Sequence, residues 1–584
     1  MADIVLICTR EGQPQRDGRR RLERIAARLA PDGLDPSAPL VSDAHGVDVA
    51  VVTPSSQGVV VEDGAVGLGG VFGADSRWTQ VGAAVPDGTY ALARYDAGSL
   101  ELLTDVCATR AVWWAQTNEA LLASTSQQAM AALLGSLHLN PATTAWLLSS
   151  GTTGPETAWD ERVHKLPPDA RLVLDRNAWR LRVDRREAVF SATADDAEAH
   201  VAKLRDAIAA TCAELGLDLS TWRLPISGGL DSRVILAGMA SSGNTPRCIT
   251  WTTRAALHDP LSDARIAPLV ARHFHAEHEF LFLETPEGGA DRALDRFVSA
   301  SEGCTDQFSG YADGFAMWRD LVAAGVSGVI RGDESAGERK RDAHEDGSRR
   351  GNGAVMVEDY PETHVVRRLG LATQEWPDWL RRQDGESLEE YCDRMSQQLY
   401  VPMALGPLNA VKARYLEVVN PLLSRRVIGV VRELPDELRM YGRALHRVAR
   451  TACPLIPYAR NSSIPDAQDF MSRPDLTVAL VRELISPGMA RVLSEEGATM
   501  LLAAMATPRS PSPSLRRRLF EVMKAASIIL PTQAYDRLAP RSDLPDELTA
   551  TKLALRATLA SKTIALLENA AALFREPAPA TRDD

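Results

Sequence analysis

Leu224-Pro-Ile-Ser-Gly-Gly-Leu-Asp-Ser-Arg233 is the stretch on which the reading of this chain turns. Leu224-Pro-Ile is a short apolar run suited to a buried strand, and Val234-Ile-Leu-Ala-Gly-Met opens a helix. Between them stand two glycines, two serines and an aspartate. Glycine lets a backbone approach phosphate oxygens closely, and a helix N-terminus offers free N–H groups and the positive end of a dipole to an anion. Ser227 and Ser232 add hydroxyl donors. Asp231 would be repelled by phosphate unless a cation lay between them, so it implies Mg²⁺. The bland alternative is a Gly-Ser turn with an Asp cap; the strand before and the helix after weigh against it. No Gly-Lys-Ser/Thr follows, so this is not a Walker loop.

Outward from the loop, strands alternate with helices. Ala194 to Leu215 has an amphipathic helical period, Cys248-Ile-Thr-Trp-Thr reads as a second strand, Asp263 to His273 as a helix, Phe280-Leu-Phe-Leu as a third strand and Val326 to Ile330 as a fourth. Such alternation predicts a parallel α/β sheet. Val329-Ile-Arg-Gly-Asp333-Glu334 ends the fourth strand about one hundred residues after the loop. A carboxylate there can share a metal with Asp231 across the mouth of the sheet, where ligands usually bind. Taken alone, Asp333-Glu334 reads more readily as an acidic pair placed for a helix dipole, and it is the partner loop that turns the balance toward function.

Residues 1 to about 185 read as mostly β. Ile4 to Cys8 is a strand; Leu22, Ile25, Ala26 and Leu29 recur at helical spacing; short strand candidates follow at Val49–Val52, Gly58–Val61, Thr89–Arg94, Leu100–Leu103, Ala111–Trp114 and Leu121–Ala123. Gly64, Gly67, Gly69, Gly70 and Gly73 punctuate what reads as a loop or hairpin. Residues 335–355 read as a mobile charged surface loop, and 375 to 570 as largely helical. The last ten residues, 575–584, are rich in Pro, Ala and charge and are expected to be disordered.

The chain has 584 residues, too many for one core, which predicts two domains. They are placed at 1–190 and 191–574, with 575–584 as a tail. With 65 basic and 77 acidic residues the formal charge is −12, which argues against a general nucleic-acid binder. The seven cysteines are odd in number and form no CxxC pair, which fits a reducing cytoplasm better than a disulfide framework or a zinc site. No stretch of 18 apolar residues occurs, so no membrane partner is expected. His273, His275 and His278 are read as a solvent-edge helix terminus rather than a metal site, and Trp113-Trp114 as core and edge of a strand.

The 227–232 loop resembles the SGGxDS PP-loop of ATP-pyrophosphatases, which split ATP between the α- and β-phosphates. With Val329–Glu334, and with Glu417-Val-Val-Asn-Pro421-Leu-Leu-Ser followed by Leu434-Pro-Asp-Glu-Leu-Arg439, it resembles the synthetase domain of asparagine synthetase-like enzymes over roughly residues 195–465. The resemblance implies a PP-loop α/β fold with a helical C-terminal part. It implies ATP held by Leu224, Ser227, Gly228, Gly229, Asp231, Ser232, Thr250 and Gly332, and Mg²⁺ held by Asp231 and Asp333. Asp87-Gly-Thr-Tyr-Ala-Leu-Ala-Arg, Leu103-Thr-Asp105, Ala108-Thr-Arg-Ala-Val-Trp-Trp and Leu122-Ala-Ser-Thr-Ser126 are similar to the family's glutaminase domain, which implies an α+β sandwich of the N-terminal-nucleophile type.

In that family's glutaminases a cysteine directly follows the initiator methionine. Here the sequence begins Met1-Ala2-Asp3, and Cys8 falls inside a strand, so no ammonia from glutamine is expected. Two relatives lacking that cysteine draw the amine from the substrate itself: β-lactam synthetases and lasso-peptide cyclases. Asparagine and β-lactam synthetases also carry a loop lysine that stabilises charge during amine attack. The matching stretch, Ile456-Pro-Tyr-Ala-Arg460-Asn-Ser-Ser-Ile-Pro465, has none. Arg460 is the candidate replacement, although a planar guanidinium is not an ammonium point charge. Arg460 and Glu334 are the catalytic candidates. The Arg-Gly-Asp-Glu form and the lysine-less loop look more like lasso-peptide cyclases. That resemblance implies a linear precursor peptide as partner, with a leader peptidase and a leader-binding protein, and Arg339-Lys-Arg341 with Arg349-Arg350 as candidate peptide-binding charge. A β-lactam synthetase-like or other small-molecule amide synthetase is the alternative, followed by asparagine synthesis from free ammonia and by a scaffold without activity.

Overall fold

Ile4 to Cys8 shows why a continuous apolar run makes a strand here. Val5 and Ile7 point into one core, Ile4, Leu6 and Cys8 into another, so both faces of the strand are buried. The structure is a computed structural model that describes residues 3–11, 18–30, 39–53, 58–73, 76–283, 289–311, 313, 315–333, 344–464, 471–506 and 548–574. The first 185 residues supply β1 (Asp3–Thr9), β2 (Leu40–Ala44), β3 (Val47–Val52), β4 (Val59–Glu62), β5 (Ala65–Phe72), β6 (Asp87–Tyr95), β7 (Ser99–Thr104), β8 (Trp113–Gln116), β9 (Ala120–Ser124), β10 (His164–Lys165), β11 (Ala170–Asp175) and β12 (Arg180–Arg185). They form two antiparallel sheets, ordered β10-β8-β9-β1-β3-β2 and β12-β11-β7-β6-β5-β4. Val47, Val49, Leu68, Ala91, Leu102 and Leu172 fill the space between the sheets. Helix Gly18–Leu29 covers the other face of the first sheet with Leu22, Ile25, Ala26 and Leu29, the four residues its period singled out.

The outer face of the second sheet is covered by the following domain rather than by helices of its own. Asn420 N donates to Thr89 Oγ1 at 3.3 Å, and Arg425 N donates to Asp87 Oδ1 at 2.6 Å. The glycine-rich stretch read as a loop or hairpin is a hairpin: β4 turns at Asp63-Gly64 into strand β5, which pairs on both sides with β4 and β6. Gly64 serves the turn, with φ of 80°, while Gly70 inside the strand marks close approach: a Cβ there would lie 2.6 Å from Phe72 Cε1 and 3.0 Å from Val419 Cγ1. Trp113 is buried and Trp114 half-buried in β8, as core and edge.

The second domain holds a five-stranded sheet of β13 (Trp222–Pro225), β14 (Arg247–Thr252), β15 (His278–Phe282), β16 (Gly328–Ile330) and β17 (Glu417–Val419), ordered β15-β14-β13-β16-β17. All its described pairings are parallel. The fifth strand is a correction, since Glu417–Val419 lies inside the stretch read as helical. Three residues are too few for any period to show, and all three are buried at the seam with the first domain, where Glu417 pairs with Arg110. A second correction concerns the charged segment. Arg339 and Arg341 lie outside the described residues, but Arg349 is an interior side chain on helix Glu345–Gly351. It donates to Asp359 Oδ1 and Oδ2, each at 2.7 Å, and so is not a solvated peptide-binding charge.

Helix Ala550–Ala571 returns to the first domain and packs on Gln127–Leu134 and Pro141–Ser150. Arg556 fixes it there, donating to Asp306 Oδ2 at 2.7 Å and to the carbonyls of Leu148 and Ser149 at 2.8 and 2.7 Å. One apolar core therefore runs through both halves of the chain. All seven cysteines are free. Among the described residues no helix is long and apolar enough to cross a membrane. The 575–584 tail lies outside the described residues.

Candidate active site

Strand β13 ends at Pro225, and the chain turns through Ser227–Leu230 into helix Asp231–Ser241. The turn is closed by its own serines: Ser232 Oγ accepts from Ser227 N at 3.1 Å, and Ser227 Oγ accepts from Gly229 N at 3.1 Å. Gly228 N donates to Asp263 Oδ1 at 2.8 Å, and Gly228 O accepts from Ala459 N at 3.0 Å. Any Cβ on Gly228 would run into Ala459 and Ile266, so glycine is required by space. The helix that follows has no side-chain cap at its N-terminus. Its first turn therefore presents the anion-binding end of a helix to the space in front of it.

That space is a cleft of about 690 Å³ at the C-terminal ends of β13, β14 and β16. The loop forms its floor, with Ser227, Gly229, Asp231 and Ser232 on the lining. Thr250 lines it from β14: its Oγ1 donates to Ile226 O at 2.7 Å and lies 2.9 Å from His278 Nε2. Gly332 lines it from the end of β16 and presses on the loop. A Cβ there would be 2.8 Å from Asp231 Cβ and 2.9 Å from the Asp231 carbonyl carbon. Leu224 is wholly buried in β13, behind the lining. The far wall is Tyr441, His446, Tyr458 and Ala459. Arg233 holds that wall to the loop, donating to the carbonyls of Ile456 and Pro457 at 2.8 Å each and stacking over Tyr458 at 4.3 Å.

Two further sequence candidates, Asp333 and Arg460, lie off the lining. Asp333 is buried beside the cleft rather than on its lining: Oδ1 accepts from Arg331 at 3.2 Å and Oδ2 from Asn409 Nδ2 at 2.7 Å. Arg460 follows the far wall, but its side chain is exposed and off the lining; its backbone N–H pairs with Leu261 O at 2.8 Å. Glu334 lies outside the described residues. The carboxylates on the cleft lining are Asp231 and Asp263, and Asp231, on the loop itself, is a hard oxygen donor of the type Mg²⁺ takes. Among the described residues no cluster of three His, Cys, Asp or Glu side chains could hold a metal alone. Of the histidines read as a helix terminus, His273 ends helix Asp263–His273 and bonds Ala452 O at 2.9 Å, whereas His278 opens strand β15 with its Nε2 2.9 Å from Thr250 Oγ1.

The cleft also gathers residues that the sequence did not single out. Asp263 starts helix Asp263–His273, where burial raises its carboxyl above the usual range, opposed by the amides of Gly228 and Ser463. His446 lines the cleft, its imidazole held below the ordinary value by burial first and then by Arg233 and Arg450. Arg331 reaches the lining from the end of β16, with Cζ 6.0 Å from the Trp251 ring. Asp263 and Arg331 had a legible signal, since each ends a segment already read as strand or helix. His446 and Tyr458 had none, because only the tertiary fold brings helix Arg443–Ala452 and the following turn against the loop.

No curated protein matches the chain. Two solved structures share its alignment at 9% identity. One is glutamine phosphoribosylpyrophosphate amidotransferase from B. subtilis complexed with ADP and GMP, covering 49% of this chain and 82% of its own, TM-score 0.20. The other is described as the allosteric regulatory enzyme of purine biosynthesis, covering 49% and 81%, TM-score 0.20. A likeness at that score carries no weight for fold or chemistry. The family model named Asparagine synthase matches residues 224–457, which begin two strand residues before the loop and end at the wall opposite it. Residues 224–457 are therefore an asparagine synthase family domain.

Proposed function

We propose that the protein forms an amide bond by adenylating a carboxylate of a linear peptide and letting that peptide's own N-terminal amine displace AMP, closing a macrolactam. The observation that carries this reading is the Ser227–Ser232 loop, whose uncapped helix N-terminus opens on a cleft of about 690 Å³. In the first step a carboxylate oxygen of an Asp or Glu side chain bonds the α-phosphorus of ATP, and the bond from that phosphorus to the bridging oxygen breaks, releasing pyrophosphate. In the second the amine nitrogen bonds the acyl carbon and AMP leaves with one carboxylate oxygen, so the peptide is lighter by one water. The loop amides and the Ser227 and Ser232 hydroxyls hold phosphate oxygens, and Asp231 holds the metal. Mg²⁺, when bound, supplies positive charge between Asp231 and the phosphates.

A substrate-borne amine is supported by the interior between the two domains. Asp3 is locked to Arg414 there, and Cys304, the one cysteine among the described residues lining that cavity, has its thiol pushed up to about 12 by burial and by Glu302. Neither is an activated nucleophile. Incubation with ATP, Mg²⁺ and a leader-free linear precursor encoded nearby should give a cyclic product lighter by one water, together with AMP. Asp231→Ala should abolish it while the circular dichroism spectrum is kept. AMP and pyrophosphate formed only with a small amino acid substrate would replace the peptide reading by a small-molecule amide synthetase.

A further inference from the structure

An adenylating site needs a cation for the charge that moves onto the departing pyrophosphate. The loop at 456–465 supplies no lysine, and Arg460 is exposed and off the cleft lining. Among the described residues lining the cleft, Arg331 is the sole lysine or arginine. Its position is set from four sides. Its backbone N–H donates to Val419 O at 2.8 Å, and the next residue, Gly332, is pressed on Asp231 and Ser232 of the loop. Its Nη2 is held by Asp333 at 3.2 Å, and its Cζ lies 6.0 Å from the Trp251 ring. Asp333 is itself held by Asn409, and Asn409 by Lys412 at 3.2 Å, so the brace is a chain of polar groups rather than one contact. The guanidinium Nε is buried and finds no hydrogen-bond partner among the described residues. That N–H is closed off from the cleft, but the side chain keeps 23% of its surface exposed and lines the cleft, so the braced guanidinium can still meet an acceptor there.

We infer that Arg331 is a catalytic residue of this site, its guanidinium contacting the polyphosphate of ATP and stabilising pyrophosphate as it leaves, with Asp333 acting as its positioning residue. The inference rests on the adenylation reading above. It reassigns Asp333 from metal ligand to brace. The chemistry recognised is a di- or triphosphate chain, and a planar guanidinium suits it better than an ammonium because two oxygens can be bound at once.

The test is calorimetric titration of the full chain with inorganic pyrophosphate and Mg²⁺. Arg331→Ala should weaken binding about ten-fold or more, as expected for loss of a charge-assisted bond. Arg331→Lys should recover part of that loss. Arg272→Ala, which removes an exposed arginine of helix Asp263–His273, should leave affinity unchanged. Asp333→Asn should weaken binding less than Arg331→Ala, and combining the two should add little, because the carboxylate acts through the guanidinium. If Arg331→Ala fails to fold, Arg331→Met and Arg331→Lys carry the comparison. Wild-type affinity in folded Arg331→Ala would overturn the inference and leave the adenylation reading standing. No binding of pyrophosphate by the wild type would bring down both.

Discussion

Two glycine-rich stretches of this chain met opposite fates. Ser227-Gly-Gly-Leu-Asp-Ser232 is a loop that faces a cleft; Ala65-Val-Gly-Leu-Gly-Gly-Val-Phe72 is a strand paired on both sides, next to the edge of its sheet. Local composition does not separate them. In both, glycine stands where something comes too near for a Cβ: Ala459 and Ile266 at Gly228, Phe72 and Val419 at Gly70. What differs is the neighbour. At the loop the neighbours leave one side open to a ligand, while at the strand the second domain fills that side. Glycine thus reports crowding, and the sequence before and after it must say whether the crowding is by protein or by substrate.

The comparison can be broken most sharply at Gly332, which belongs to the cleft by the same crowding rule. Gly332→Ala places a Cβ 2.8 Å from Asp231 Cβ and must shift the loop. ATP-dependent pyrophosphate release should fall by about 100-fold, the usual cost of misplacing reacting groups by an ångström. Unchanged turnover in Gly332→Ala would mean that the cleft does not depend on that contact. Gly70→Val tests the protein-facing side. It should lower the melting temperature, with a loss of about 1–3 kcal/mol from overpacking, while the affinity of the folded fraction for Mg²⁺-pyrophosphate stays the same. Equal losses of stability and affinity would erase the distinction between the two stretches.

The smallest effect takes glycine out of the comparison and leaves only the seam between the domains. Lys165 donates to Pro402 O at 3.0 Å in the interdomain cavity, and burial lowers its ammonium to about 8. Its folded value is below the unfolded one, so the folded state binds fewer protons between pH 8 and 10.5 and gains stability as pH rises through that window. Lys165→Met should therefore be more stable than the wild type at pH 7 by about 1 kcal/mol, the lost bond to Pro402 offsetting part of the gain. Thermal melts at pH 7 and pH 10 should show the advantage shrinking. A constant advantage across that range would assign it to packing alone.

Much of the fold was legible because burial on both faces writes continuous apolar runs, as in Ile4 to Cys8 and Cys248 to Thr252. The Leu22–Leu29 helix was legible because one face is solvated and the other is not. Strand β17 was not, since its three residues carry no period and owe their conformation to β16 and to Arg110. Within the site, the loop could be read from local chemistry and Asp263 from the start of its helix, whereas His446 and Tyr458 are brought to the cleft from positions with no signal of their own. Arg349 misled for a related reason: a run of arginines looks solvated until its partner, Asp359, is placed beside it.

Helix Ala550–Ala571 has a consequence for how the protein is made. Its apolar side completes the covering of Gln127–Leu134 and Pro141–Ser150, elements translated some four hundred residues earlier. Domains commonly fold in order as they leave the ribosome, but this first half keeps an uncovered apolar surface until nearly the whole of the described chain has emerged. Premature termination before residue 550 would leave that surface bare, so an incomplete product should be drawn to chaperones or aggregate even though its β-sandwich and its nucleotide loop are both already encoded.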